Sequence, residues 1–333
     1  MHLVQLTHPT HGRRVAIVDE PNLTLLSGHP TVYGLARLAL ERGQSLSEVA
    51  AAARTSDTLS YDPIHANVSD WRLLPPFDHP TDPAHCIVAG TGLTHRASAD
   101  NRDRMHEAAA ADQLTDSMRM YLSGVEGGRP AANAVGVQPE WFYKGTGAIL
   151  RAHGESIEQP AFADDGGEEP EVVGLYIIDD ASQPWRLGFA AGNEFADHVM
   201  EKKNYLYLAH SKLRECAIGP ELALDETFTA LTGQVTIRRN GEVVWTHAIQ
   251  SGEEHMAHSL ANLEHHHFKY AAHRVPGQAH VHFFGAAAFS FGAQVQLADG
   301  DAMEVAWPAL GRPLQNTLRI TQGPEPLVAP RSL

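Results

Sequence analysis

The most strand-like stretch of the chain runs through Val172, Val173, Leu175, Tyr176, Ile177 and Ile178, where nearly every position is β-branched or aromatic. Asp179-Asp180, followed by Ser182 and Pro184, should end it. A second run, Leu187 to Ala191, leads into Gly192-Asn193-Glu194 and predicts the next strand. Toward the N-terminus, Arg14 to Asp19 and Leu23 to Leu26 read as a hairpin, with helices after it. Ser45-Leu46-Ser47-Glu48 has capping-box spacing ahead of Val49 to Ala53, and Gly43 ends the preceding helix. Pro75, Pro76, Pro80 and Pro83 then punctuate the chain, which predicts a small leading domain over residues 1–80 and a main domain over 81–333.

In the main part, Cys86 to Ala89 should be the first strand, turning at Gly90-Thr91-Gly92; with no third glycine opening a helix, this is not a dinucleotide fingerprint. Asn101 to Leu122 reads as a helix stopped by Gly124, Gly127 and Gly128. Gln234 to Arg238 and Glu242 to His247 alternate on either side of Asn240-Gly241, a strong hairpin signal. Glu253 to Lys269 is expected to be helical. Ala279 to Phe284, Ala293 to Leu297 and Met303 to Trp307 are expected to be strands. Many strands and few long helices point to an α+β fold built on an antiparallel or mixed sandwich, not a doubly wound sheet.

Charge enters at the edge of the first strand. Glu169 and Glu171 are two residues apart, so on a strand both carboxylates leave the same face and converge. Two bare carboxylates repel, and a hard cation such as Mg²⁺, Mn²⁺ or Ca²⁺ suits the space between them. Glu194, at the end of the next run, would add a third oxygen ligand. The competing reading is a solvated acidic rim, which Asp164-Asp165 and Glu168 nearby also fit.

Composition narrows the partners. With 25 Lys and Arg against 40 Asp and Glu, the net charge of −15 argues against nucleic acid or an anionic membrane as a partner. No run approaches a membrane span and no cationic start precedes an apolar core, so a cytoplasmic location is expected. Cys86 and Cys216 form neither a disulfide framework nor a zinc motif and read as packed thiols. The 21 histidines invite a zinc reading, above all His255, His258 and His265-His266-His267. Neither H-E-x-x-H nor a thiolate pair accompanies them, and the expectation is a solvated helix face.

The order of these segments resembles the fumarylacetoacetate hydrolase superfamily. Glu169-Pro170-Glu171 is similar to that family's acidic E-x-E, and Gly188-Phe189-Ala190-Ala191-Gly192-Asn193-Glu194 to its G-Y-x-x-x-N-D. Ser211-Lys212-Leu213 and Gly219-Pro220 are similar to its K-S-F and G-P segments. Gly92-Leu93-Thr94-His95-Arg96 is similar to its G-L-N-Y loop, and Phe142-Tyr143-Lys144 to its F-x-K strand. Downstream, Leu297 to Asp301 and Ala309-Leu310-Gly311 are similar to its L-x-x-G-D and G-L-G elements, so the resemblance spans about Cys86 to Asn316.

The resemblance implies a mixed β-sandwich roll of that family's C-terminal type behind a small N-terminal α/β domain, and a homodimer. It implies Glu169, Glu171 and Glu194 as metal ligands and Lys212 as the active-site lysine, for substrate carboxylate or proton transfer. It places Thr94, Arg96, Lys144 and Ser211 against a small anionic 2-oxo acid. Three departures bear on the reaction. Glu194 stands where the family has aspartate. Ser98 stands where the hydrolytic members carry a water-activating histidine, with Asp100 near their glutamate position. Phe284-Gly285-Ala286-Ala287 replaces a T-G-T-P turn. Loss of that histidine favours dehydration of a 2-keto-3-deoxy sugar acid, pentonate-like, through a metal-bound enolate. The alternative is hydrolysis of a carbon-carbon bond in a 2,4-dioxo acid, with His106 and Glu107 activating water. A catalytically silent sugar-acid binder is the third reading.

Overall fold

Nine consecutive residues, Pro170–Ile178, are buried in a computed structural model that describes residues 1–97, 99, 100 and 115–333. The burial explains why this strand shows no alternation in its sequence: both faces are covered. Val172, Tyr176 and Ile178 pack into one hydrophobic cluster, and Val173, Leu175 and Ile177 into another. Each such side chain contributes roughly 1.5–3 kcal/mol through burial.

Among the described residues the strands form a thirteen-stranded and a five-stranded sheet. Pro170–Ile178 lies between Pro184–Asn193 and Ala279–Phe283, antiparallel to both, and Ala279–Phe283 pairs in parallel with Cys86–Gly90. The smaller sheet, carrying the hairpin Leu231–Arg239 and Glu242–Ser251, closes the first cluster through Val235, Ile237, Met303 and Val305. This mixed α+β sandwich is the fold expected.

The leading segment is joined to the main sheet. His2–His8, a strand the sequence pattern did not single out, pairs with Leu222–Ala223, and Leu3, Val15 and Leu26 share a core with Val173 and Phe283. The capping box forms as read, with Glu48 N–H donating to Ser45 Oγ at 3.2 Å and Ser45 N–H to Glu48 Oε2 at 2.8 Å. The Asn240-Gly241 turn has φ of 53° and 86°, the left-handed pair a tight hairpin requires.

Three expectations fail locally. Ala293 to Leu297 is not a strand: a 3₁₀ turn over Ser290–Ala293 ends in Gln294 at φ 61°, and a left-handed residue there breaks the extension. Glu253 to Lys269 is a turn followed by a helix over Leu260–Phe268, because Ser259 caps that helix through Asn262 N–H. Of the three glycines expected to stop the next helix, Gly124 does not: Asp116–Gly127 runs through it and ends at Gly127, with Gly128 as its C-cap. A Cβ at Gly124 would lie 2.6 Å from His258 Nε2, so this glycine serves close approach. The expected helix over 101–114 falls outside the described residues. No helix among the described residues is long and apolar enough to cross a membrane.

Candidate metal centre

Strand register brings the three acids together. Pro170 pairs with Asn193 and Glu171 with Gly192, and Glu194 N–H donates to Glu169 O at 2.9 Å. Asn193 fixes this corner: its Oδ1 accepts from the N–H groups of Glu169 and Phe195, both at 3.2 Å. The acids are buried, at 7%, 1% and 0% exposure for Glu169, Glu171 and Glu194, which removes the solvated-rim reading. One carboxylate oxygen from each lies within 4.8 Å of the others. Glu171 Oε2 accepts from Gly285 N–H at 2.7 Å. Gly285 has φ 100°, and a Cβ there would come within 2.0 Å of Thr94 Oγ1, so only glycine turns the chain at that point.

Two ammonium groups face the acids. Lys212 Nζ donates to Glu169 Oε1 and to Glu194 Oε2 at 2.6 Å each, and sits 3.4 Å from Glu201 Oε1. Lys144 Nζ donates to Glu194 Oε1, to Phe195 O at 3.0 Å and to Lys212 O at 2.9 Å. An ammonium has three protons, so Lys144 is fully engaged and acts on the site through Glu194. Glu169 is buried, yet the Lys212 charge and the His198 ring at 2.9 Å hold its carboxyl well below the ordinary range. Burial and the neighbouring Glu194 and Glu169 charges push Glu171 well above that range. Burial also pushes Glu194 up to about 8 against the pull of Lys144 and Lys212. Acids driven upward by one another are short of positive charge, and an all-oxygen donor set fits a hard divalent cation that would supply it.

The other predicted residues fall into three groups. Ser211 Oγ lies 2.9 Å from Glu201 Oε1 and so positions a neighbour of Lys212. Thr94 is fully buried and donates to Phe284 O at 2.7 Å, just ahead of the Gly285 N–H that holds Glu171. Arg96 is exposed and pairs with Asp100 at 2.7 Å. His106, Glu107 and Ser98 lie outside the described residues.

The structure adds Glu140, His198 and Glu168. Glu140 is 5% exposed, accepts from the Tyr205 hydroxyl at 2.6 Å, and presses on Gly92, where a Cβ would meet its Oε2 at 1.7 Å. His198 binds Glu169, and Glu168 accepts from Ser290 N–H and Oγ at 2.6 and 2.8 Å. A lone acid in a loop, or a lone histidine opening a short helix, carries no spacing signal. Of the three, only Glu168 falls in a run the sequence marks, directly before Glu169. The solvated-face expectation for the helix histidines is corrected: His258, His266 and His267 are buried, and only His265 of the run is exposed.

No protein-family model matches the chain, and no curated protein matches it. Solved structures do. A 2-keto-3-deoxy-D-arabinonate dehydratase complexed with magnesium and 2,5-dioxopentanoate aligns with TM-score 0.70 and 20% identity, over 97% of this chain and 100% of its own. The 5-carboxymethyl-2-hydroxymuconate delta-isomerase from Mycobacterium smegmatis aligns with TM-score 0.58 and 16% identity, over 96% and 100%. The 2-hydroxyhepta-2,4-diene-1,7-dioate isomerase from Mycobacterium marinum aligns with TM-score 0.58 and 16% identity, over 97% and 100%. The chain therefore shares its fold with this dehydratase and these isomerases.

Proposed function

We propose that the protein is a divalent-metal-dependent dehydratase of a 2-keto-3-deoxy sugar acid of the pentonate kind, working on Mg²⁺ or a similar ion. The observation that carries this reading is the buried Glu169, Glu171 and Glu194 cluster, braced by Lys212. The fold is shared with a dehydratase whose structure holds magnesium and 2,5-dioxopentanoate. An ion on those three carboxylates would chelate a 2-oxo acid and draw charge from its C3–H bond. The chain's own residues do the rest. Lys212 supplies a fixed positive charge beside the acids, suited to a substrate carboxylate or to proton transfer. Glu140, buried and held by the Tyr205 hydroxyl, is a carboxylate outside the cluster that can take or return a proton. Removal of the C3 proton and departure of the C4 hydroxyl with a proton release one water, and tautomerisation of the resulting 5-hydroxy-2-oxo-3-enoate, with hydrogens moving from C5 and its hydroxyl to C3 and C4, gives the 2,5-dioxo product. The reading carries with it a cytoplasmic homodimer acting on a small anionic substrate.

The test is the product spectrum from 2-keto-3-deoxypentonate and from a 2,4-dioxo acid, each with Mg²⁺. A dehydratase gives 2,5-dioxopentanoate from the first and little from the second. Rapid pyruvate release from the dioxo acid alone would replace dehydration by carbon-carbon hydrolysis. Tight binding of either without turnover would make the protein a silent binder.

A further inference from the structure

His198 is one of the most constrained side chains near the acids, and dehydration of a 2-oxo acid by the acids, Lys212 and Glu140 leaves it without a task. It is 1% exposed, and its Nε2 lies 2.9 Å from Glu169 Oε1, the oxygen that also accepts from Lys212. An ionised carboxylate only accepts, so Nε2 carries the hydrogen. The other nitrogen, Nδ1, is buried without a partner and faces Gly167, where a Cβ would lie 2.5 Å away. The ring cannot turn over without aiming carbon at Glu169.

Two phenylalanines hold it in that orientation. Phe289 stacks on the ring with centroids 4.7 Å apart and planes 11° from parallel, and Phe291 lies 5.1 Å away at 31°. Ser290, between them, is pinned by Glu168, which accepts from both its N–H and its hydroxyl. Glu168 is the residue before Glu169. The contacts therefore close a loop, from Glu169 to His198, across Phe289-Ser290-Phe291 to Glu168, and back by one peptide bond. Phe289 is extended, at φ −153° and ψ 151°, and Ser290 opens the 3₁₀ turn, so residues 289 and 291 reach one ring while 290 anchors elsewhere.

We propose that His198 is a positioning residue for Glu169, clamped by Phe289-Ser290-Phe291, and that it sets the affinity of the three-glutamate site for its divalent cation. The inference rests on reading that cluster as a cation site. A carboxylate whose oxygen is held by two donors enters coordination with its orientation already fixed, and loss of such an outer partner costs about 10–100-fold in metal affinity.

The experiment is calorimetric titration of the full chain with Mn²⁺, without substrate. Wild type should bind saturably, and absence of binding would sink the cation reading and this inference together. His198→Phe, which keeps a flat ring in the slot but has no N–H, should bind about 10–100-fold more weakly. His198→Gln, which keeps an N–H donor, should recover most of that loss. Wild-type affinity in His198→Phe would overturn the positioning role alone, leaving the cation site intact. Equal weakening in both variants would also overturn it, because packing and not the N–H would then be what matters. Should His198→Phe fail to fold, Phe289→Leu reads the same device, with weaker Mn²⁺ binding expected and unchanged affinity contradicting it.

Discussion

Neighbouring strands of the main sheet carry two buried polar clusters built on opposite principles. At the edge of Pro170–Ile178 stand three acids and two ammonium groups. On Ala279–Phe283, His280 and His282 meet His267 from the Leu260–Phe268 helix, all three fully buried. The histidines need no counter-charge. Trp141 Nε1, which can only donate, lies 3.1 Å from His267 Nδ1, so His267 carries its hydrogen on Nε2 and donates to His280 Nδ1 at 3.0 Å. His267 and His282 stack with centroids 4.4 Å apart, so their nitrogens do not converge on an ion. Burial keeps the group neutral, pushing His280 and His282 each down to about 3. Both clusters are polar and buried. What separates a candidate site from a structural network is that one remains short of positive charge while the other stays neutral.

The largest expected effects break the acid cluster in two different ways. Glu171→Gln keeps the shape and removes a charge the cation needs, so Mn²⁺ affinity and turnover should each fall at least about 100-fold. Its carboxyl is pushed toward the neutral form in the absence of a cation, so the amide should leave the metal-free protein as stable as before. Lys212→Met should cost turnover about 100-fold or more. Unlike Glu171→Gln, it should also destabilise the fold by roughly 3–5 kcal/mol, because it strands buried carboxylates. Steady-state kinetics and urea unfolding of the two variants check the contrast, and equal stability would show that Lys212 does not offset the buried acids.

The histidine cluster should show itself in pH dependence. In the unfolded chain a histidine titrates near 6.5 and in the fold His280 and His282 titrate near 3, so above about pH 6.5 neither state binds the proton and stability is level. As pH falls from 6.5 toward 3 only the unfolded chain takes up protons, and stability is lost at about 1.4 kcal/mol per pH unit for each of the two. Urea unfolding at pH 7, 6 and 5 should show that decline, and His280→Leu should flatten it by about one such increment. An unchanged slope in the variant would mean the ring protonates in place.

How much of this was legible depends on whether a feature is local. Ser45 with Glu48 and Asn240 with Gly241 are contiguous signals whose geometry is set within one turn, and both formed as read. The acids were legible because strand period two and the run ending at Glu194 placed them before any contact was known. Glu140 and His198 were not, since their roles come from Gly92, Phe289 and Glu169, segments distant in sequence that meet only when the sheet is assembled. The histidines misled for the same reason. A run of three on a helix reads as polar, and burial of His266 and His267 depends on partners such as Gly136 O, Trp141 and His280.

A smaller effect tests whether the two clusters are independent. Thr91 Oγ1 lies 2.7 Å from His282 Nε2, while its N–H donates to Phe283 O at 2.9 Å, so it ties the histidines to the loop carrying Thr94. Thr91→Val preserves the shape and the backbone bond but removes the hydroxyl. His282 Nδ1 already lacks a partner, so both ring nitrogens would then be buried and unsatisfied. That should cost about 1–3 kcal/mol in urea unfolding at pH 7. Mn²⁺ affinity should not change, because the route from Thr94 through Phe284 and Gly285 to Glu171 does not use that hydroxyl. A loss of Mn²⁺ affinity alongside the loss of stability would mean that the neutral network helps hold the charged one in place.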